Sequence, residues 1–186
     1  MCLPLYFFTL GFHADHVIRR LQGARDVEGI AVATAEPVVR AVGVAFGEVS
    51  SFCEKVRLPA PRMVPLDLSD PGGSVVKILE VLRGYSSVVA DLSGGMRSIV
   101  VLSMTALLIH SLRASVRLYM VAEREDAPEM SIPLDVVRIV LSTGLSAEKK
   151  RVLRTIDENP GLGIADLARL LGKSEKTVRN YVSEFR

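Results

Sequence analysis

The sequence predicts an α/β protein in two parts, a mostly parallel sheet flanked by helices over residues 1–143 and a small all-α domain over 144–186. Three observations predict it. As far as Ala122, short and almost wholly apolar runs alternate with helical patterns, which is how strands covered on both faces by crossover helices read. Pro and Gly punctuate the joints, at Pro37, Pro59, Pro61, Pro71-Gly72-Gly73 and Gly84. From Ser146 onward the pattern is wholly helical.

In order, residues 3–10 read as a strand and 14–21 as a helix. Residues 29–34 form the second strand, followed by a helix within 37–56 whose apolar positions recur at helical spacing. A strand over 63–68 leads through a Pro71-Gly72-Gly73 loop to a helix over 74–83. Residues 87–92 are a strand, 97–112 a helix and 116–122 a strand. Glu125-Asp126-Ala127-Pro128 makes a polar turn, and 130–133 adds a short antiparallel strand. Residues 135–141 are ambiguous, and Thr143-Gly144 marks the joint between the parts. The sheet is Rossmann-like, and such open sheets bind ligands beyond the carboxyl ends of their strands.

A chain of 186 residues suffices for one ordinary domain and a small second one. The start carries no positive region of the kind a signal peptide has. The longest apolar run, 99–109, lies between Arg97 and Arg113 and is too short to span a bilayer. Cys2 and Cys53 show no metal-ligand spacing and read as reduced thiols. A cytoplasmic protein without membrane attachment is expected. Residues 1–143 hold 14 Lys and Arg against 15 Asp and Glu, net −1; residues 144–186 hold 9 against 6, net +3. That basic excess is a mild nucleic-acid signal.

Asp91-Leu92-Ser93-Gly94-Gly95-Met96-Arg97 is the segment that carries chemistry. It reads as a strand end, a tight glycine turn and the first turn of a helix. Paired glycines let the backbone approach a ligand, and the helix N-terminus offers unpaired N–H groups and a positive dipole end. Arg97 opposes that dipole, which makes sense if an anion such as phosphate sits beside it. The helix that follows is apolar nearly all round, so it is expected to be buried under the sheet or between subunits.

In the C-terminal part, Ser146 caps a first helix that runs to Asn159, Gly172 stops a second, and Ser174 caps a third. Small Ala168, then Gly172, then β-branched Val178 is helix-turn-helix spacing. The third helix would present Ser174, Lys176, Thr177, Arg179 and Asn180 to bases or phosphates of double-stranded DNA, with Arg169 and Lys173 at the backbone. The sequence leaves no evident wing after this helix. A three-helix bundle serving only dimerisation is the plainer alternative.

Together these motifs resemble the CARF-domain (CRISPR-associated Rossmann fold) regulators with a C-terminal winged helix-turn-helix found in archaeal type I-A CRISPR systems. The resemblance rests on Thr9-Leu10-Gly11-Phe12, on the Asp91–Arg97 segment, and on the terminal helices. It implies a homodimer that binds a cyclic oligoadenylate, the tetra-adenylate ring first, and regulates transcription at CRISPR-related promoters. A two-fold ring is complementary to an isologous dimer cleft. Leu10, Gly11 and Phe12 would form one loop of the ligand site, with Phe12 either stacked on adenine or in the core. Ser93, Gly94, Gly95, Met96 and Arg97 would form the other, with N–H groups, a hydroxyl and a guanidinium toward phosphate. Asp91 would repel phosphate and is expected to hold the turn's own N–H groups.

The alternative is a metal-independent ring nuclease in which Arg97 and Ser93, helped by His13, cleave the ring. A third reading is a DNA-binding protein whose sheet domain only dimerises. His13 and His16 share a helix spacing but lack further ligands, so no metal is expected. Neither a GxxxxGK[ST] loop nor a GxGxxG after the first strand is present, which argues against ATPase and dinucleotide chemistry, and no cofactor is expected.

Overall fold

The computed structural model describes residues 3–121, 129–132, 134 and 146–184. The chain falls into two compact units, residues 1–138 and 139–186.

The first unit is built from β1 (Leu5–Thr9), α1 (Asp15–Gln22), β2 (Gly29–Ala35), α2 (Arg40–Lys55), β3 (Pro61–Leu66), α3 (Pro71–Leu82), β4 (Ser87–Asp91), α4 (Arg97–Ser111), β5 (Ser115–Met120) and β6 (Met130–Ile132). They form one six-stranded sheet in the order β3-β2-β1-β4-β5-β6. The first five strands are parallel, and β6 runs antiparallel to β5 with Leu118 opposite Ile132. The chain order turns back between β1 and β4, the place where an open α/β sheet leaves a crevice.

Alternation along β1 divides the core. Phe7 faces the layer that holds Ala31, Leu66, Ile78, Leu82, Ile99 and Leu107, the last four from α3 and α4. Phe8 faces the opposite layer with Val32, Val17 and Leu21 of α1, and Val42 and Val49 of α2. Both faces of the strand are covered, so every residue of β1 is buried, as its unbroken apolar run requires.

Two elements begin earlier than the sequence suggests. Pro71-Gly72-Gly73 is the first turn of α3, not a loop: Asp70 caps it, accepting from the Gly73 N–H at 2.9 Å, and Pro71 stands where no N–H is needed. β3 starts at Pro61, because it is an outer strand and tolerates both Pro61 and Pro65. α4 also departs from expectation. It buries Ile99, Ala106, Leu107 and His110, yet leaves Val101 63% and Ile109 41% exposed, with its C-cap Leu112 47% exposed along the same stripe. The expected turn at 125–128 and the readings for 135–144 lie outside the described residues.

The second unit holds α5 (Ala147–Glu158), α6 (Ile164–Leu171) and α7 (Glu175–Glu184). Ser146 caps α5, accepting from the Lys149 N–H at 3.3 Å. Gly172 ends α6 at φ +63°, a left-handed position that suits glycine. Val152, Leu167, Ala168, Leu171 and Val178 form the core, so the residues of the helix-turn-helix spacing pack where that spacing places them. Among the described residues, no helix is long and apolar enough to cross a membrane.

Candidate functional site

β1 and β4 lie side by side in parallel, with Phe8 opposite Asp91. The loops that leave their carboxyl ends therefore meet. A Cβ built on Gly11 would stand 3.1 Å from the Gly95 nitrogen, and one on Gly95 would stand 3.3 Å from the Leu10 oxygen. Gly95 also has φ +87°, so conformation and packing both require glycine there. The fit is pinned from below. The Thr9 hydroxyl donates to the Gly94 oxygen at 2.5 Å, and His16 donates from Nε2 to the Thr9 oxygen at 2.9 Å. The His16 ring fills the space where a Gly94 side chain would go.

Asp91 turns away from this surface. It is 1% exposed and accepts at Oδ1 from the Ser93 N–H at 3.0 Å and from the Ser93 hydroxyl. At Oδ2 it accepts from Arg20 Nε at 3.1 Å. Arg20 also pairs with Glu129 at 2.5 Å and lies 4.1 Å from the centre of the Tyr119 ring. Burial works against the Arg20 charge, and the carboxylates of Glu129 and Asp91 more than offset it. The Ser93 hydroxyl in turn accepts from the Val121 N–H at 2.8 Å. Its single proton goes to Asp91, so in this structure Ser93 braces the turn. Nothing in the sequence joins Val121 to Ser93; the contact comes from β5 lying beside β4.

Beside the glycine turn opens a cavity of about 490 Å³ at the carboxyl ends of the inner strands. Leu10, Gly11, Phe12, Gly95 and Met96 line it together, drawn from both predicted loops. Leu10 reaches it from the core, being 2% exposed, whereas Phe12 and Met96 are 66% and 56% exposed. Phe12 is therefore no core aromatic. Gly94 and Arg97 stand beside the cavity and do not line it. Arg97 is exposed at the first turn of α4 and makes no hydrogen bond or ion pair with a described residue.

The sequence reading missed the opposite wall. Thr34, Ala35, Glu36 and Pro37 follow or end β2, and Val39, Val42 and Leu68 complete an apolar surface. The signal for it was the rule that ligands gather beyond strand ends, which applies to β2 as well as to β1 and β4. His13 lines the cavity while His16 bonds Thr9, so the two do not converge. Among the described residues no group of His, Cys, Asp or Glu could hold a metal ion.

In the second unit, Ser174, Lys176, Arg179 and Asn180 are exposed on α7 and its cap. Thr177 is half-buried, its hydroxyl 2.8 Å from that of Ser174, and its N–H donates to the same Ser174 oxygen at 3.2 Å. Lys173 reaches Glu148 of α5 at 2.6 Å, and Arg169 lies 3.5 Å from Asp166. The hydrogen bond and charge of Lys173 hold the Glu148 carboxyl below its ordinary range. The turn of the motif is thereby tied to the helix before it.

A Rossmann-like domain with a glycine turn where the ends of β1 and β4 meet, followed by a helix-turn-helix, defines a class of two-domain protein that joins a Rossmann-like sheet to a DNA-binding fold. Residues 4–133 match the Csa3 CRISPR-associated Rossmann-like domain, and residues 149–186 match a winged helix-turn-helix DNA-binding domain. The chain belongs to the Csa3 family. It is 27% identical over 184 residues to the CRISPR locus-related protein Csa3 of Saccharolobus solfataricus, covering 97% of this chain and 76% of that one. Among solved structures, Enterococcus italicus Csm6 bound to cyclic hexa-2′-fluoro-hexa-dAMP superposes with a TM-score of 0.53 at 10% identity, over 100% of this chain and 55% of that one. Can2 from Sulfobacillus thermosulfidooxidans in complex with cyclic tetra-adenylate gives a TM-score of 0.42 at 11% identity, over 63% and 32%. The chain thus spans only part of either structure's length, and the Csm6 likeness is one of fold.

Proposed function

We propose that this protein is a CRISPR-associated regulator that senses a cyclic oligoadenylate, the tetra-adenylate ring first, and binds double-stranded DNA through α6 and α7. Sensing and dimerisation belong to residues 1–143, and DNA binding to 144–186. The observation that carries the reading is the meeting of Gly11 with Gly95 beside the first turn of α4. It puts two glycine backbones, a helix N-terminus and Arg97, which pairs with no described residue, around one place, which suits phosphate. The neighbouring cavity, with Phe12 and Met96 on its wall, offers apolar surface to a base.

The exposed stripe of Val101 and Ile109 on α4 and its C-cap Leu112 supports pairing of two copies, which would bring two Arg97 side chains to one cleft. Ring binding then alters the spacing of two recognition helices through its different affinity for two arrangements of the dimer. Sensing is favoured over ring cleavage because the Ser93 hydroxyl is already held by Asp91 and Val121.

Calorimetry with cyclic tetra-adenylate on wild type and Arg97→Ala tests this. Loss of one charge-assisted contact should weaken binding about tenfold or more. The melting temperature should stay level or rise slightly, because a cation leaves the positive end of a helix. Unchanged affinity would remove Arg97 from the site, and linear products after incubation with wild type would favour the nuclease.

A further inference from the structure

Glu36 is the one acidic side chain among the described residues that line the cavity. A carboxylate is an odd neighbour for a polyanion. It repels phosphate, and it attracts only a part of the ligand that donates hydrogen bonds without carrying negative charge. The position is also well defined. Glu36 follows the last residue of β2, and its N–H donates to the Leu66 oxygen at 2.9 Å, fixing its backbone against the end of β3. Its carboxylate makes no hydrogen bond or ion pair with any described residue, so its acceptor capacity is unused by the fold.

The sheet order places this residue relative to the glycine turn. β4 ends at the turn, β1 is next, and β2 follows, so Glu36 stands two strand spacings, about 10 Å, from the end of β4. A nucleotide with its phosphate at Gly95 and its base along Phe12 would lie in the cavity that Glu36 also lines. An acidic residue at the end of the second strand is how Rossmann sheets of other chemistry grip a ribose hydroxyl.

We propose that Glu36 accepts a hydrogen bond from a ribose 2′-hydroxyl of the bound ring and so makes the site select ribonucleotide over deoxyribonucleotide rings. This rests on the oligoadenylate-sensing reading above and adds to it a selectivity for the sugar. A carboxylate facing a 2′-hydroxyl gains a charge-assisted bond, whereas a 2′-deoxy ligand leaves it desolvated and unpaired. The side chain is exposed in the free protein, so replacing it leaves the core intact.

The test titrates cyclic tetra-adenylate and its fully 2′-deoxy counterpart into the full-length protein as wild type, Glu36→Ala and Glu36→Gln. Wild type should bind the ribose ring at least about tenfold more tightly than the deoxy ring. Glu36→Ala should lose most of that ratio by binding the ribose ring more weakly, and Glu36→Gln, which keeps an acceptor, should retain part of it. Comparing two ligands on one variant cancels any change in the folded fraction. A Glu36→Ala ratio equal to that of wild type would overturn the assignment of Glu36 while leaving ring sensing intact. A wild type that binds both rings equally would also overturn it. Failure of wild type to bind either ring would overturn the sensing reading itself, and this inference with it.

Discussion

Gly11 and Gly95 meet backbone to backbone, close enough that a methyl group on Gly11 would stand 3.1 Å from the Gly95 nitrogen. A backbone neighbour cannot swing aside as a side chain can. Gly11→Ala is therefore expected to push the two loops apart, at a cost of roughly 1–3 kcal/mol typical of overpacking. Denaturant unfolding measures the cost, and calorimetry with cyclic tetra-adenylate should show weaker binding. A variant with both quantities unchanged would show that the loops are loosely joined.

Asp91 is the buried junction of the turn, holding Ser93 from one oxygen and Arg20 from the other. Asp91→Ala removes one of the two carboxylate partners of a largely buried guanidinium and one of the two partners of the Ser93 hydroxyl. Arg20 keeps Glu129, which softens the loss, so roughly 2–4 kcal/mol is expected. Asp91→Asn preserves an acceptor for Ser93 and should cost less. Urea midpoints at constant m-value make the comparison, and a loss under about 1 kcal/mol for Asp91→Ala would contradict the junction.

The buried ring of His110 is expected to make the sheet domain lose stability in acid. The ring is 1% exposed, donates from Nε2 to the Tyr85 oxygen at 2.9 Å, and has no partner for Nδ1 among the described residues. Burial pushes its pKa down, the Tyr85 carbonyl opposes this in part, and Arg113 adds to the lowering. The unfolded chain, with an ordinary histidine near pH 6.5, then binds the proton more readily than the folded one. His110's share of stability is thus complete above about pH 6.5 and falls below it, by at most about 1.4 kcal/mol per pH unit, until the folded pKa is passed. Stability measured from pH 7.5 to 5 should fall more steeply for wild type than for His110→Gln; parallel curves would exonerate this residue.

On α7, Lys176 and Arg179 are exposed while Val178 between them is fully buried. If the two cations meet phosphates, replacing either by Ala should reduce the slope of log K against log salt by about 0.9. Val178→Ala should instead destabilise the unit by roughly 1–3 kcal/mol through a cavity. Fluorescence anisotropy with duplex DNA over a salt series, alongside thermal melts, separates these effects. An unchanged salt slope in both charge variants would take α7 away from the DNA backbone.

The inner strands were legible because strands covered on both faces need unbroken apolar runs, as Leu5–Thr9 shows. The helix-turn-helix was legible because Ala168, Gly172 and Val178 stand for a crossing, a left-handed turn and a core position. The glycine turn was legible for a similar local reason. What escaped depends on distant chain. Ser93 could not be seen as a brace, because its second partner is an N–H that follows β5. Glu36 reaches the cavity only through the pairing of β2 beside β1. The start of α3 was hidden because Gly72 and Gly73 favour coil, and the cap from Asp70 with Pro71 outweighs that preference. In α4 the apolar pattern runs almost unbroken, so it could not separate Ile99, which faces the sheet, from Val101, which does not.

Pro61 and Pro65 give the outer edge of the sheet a further meaning. A proline offers no N–H to a strand arriving from solvent, so β3 is a poor template for extension. Growth of the sheet past β3 is thereby discouraged. The exposed apolar stripe on α4 has no such bar, so the pairing of copies proposed above would close on helical surface and leave the β3 edge untouched.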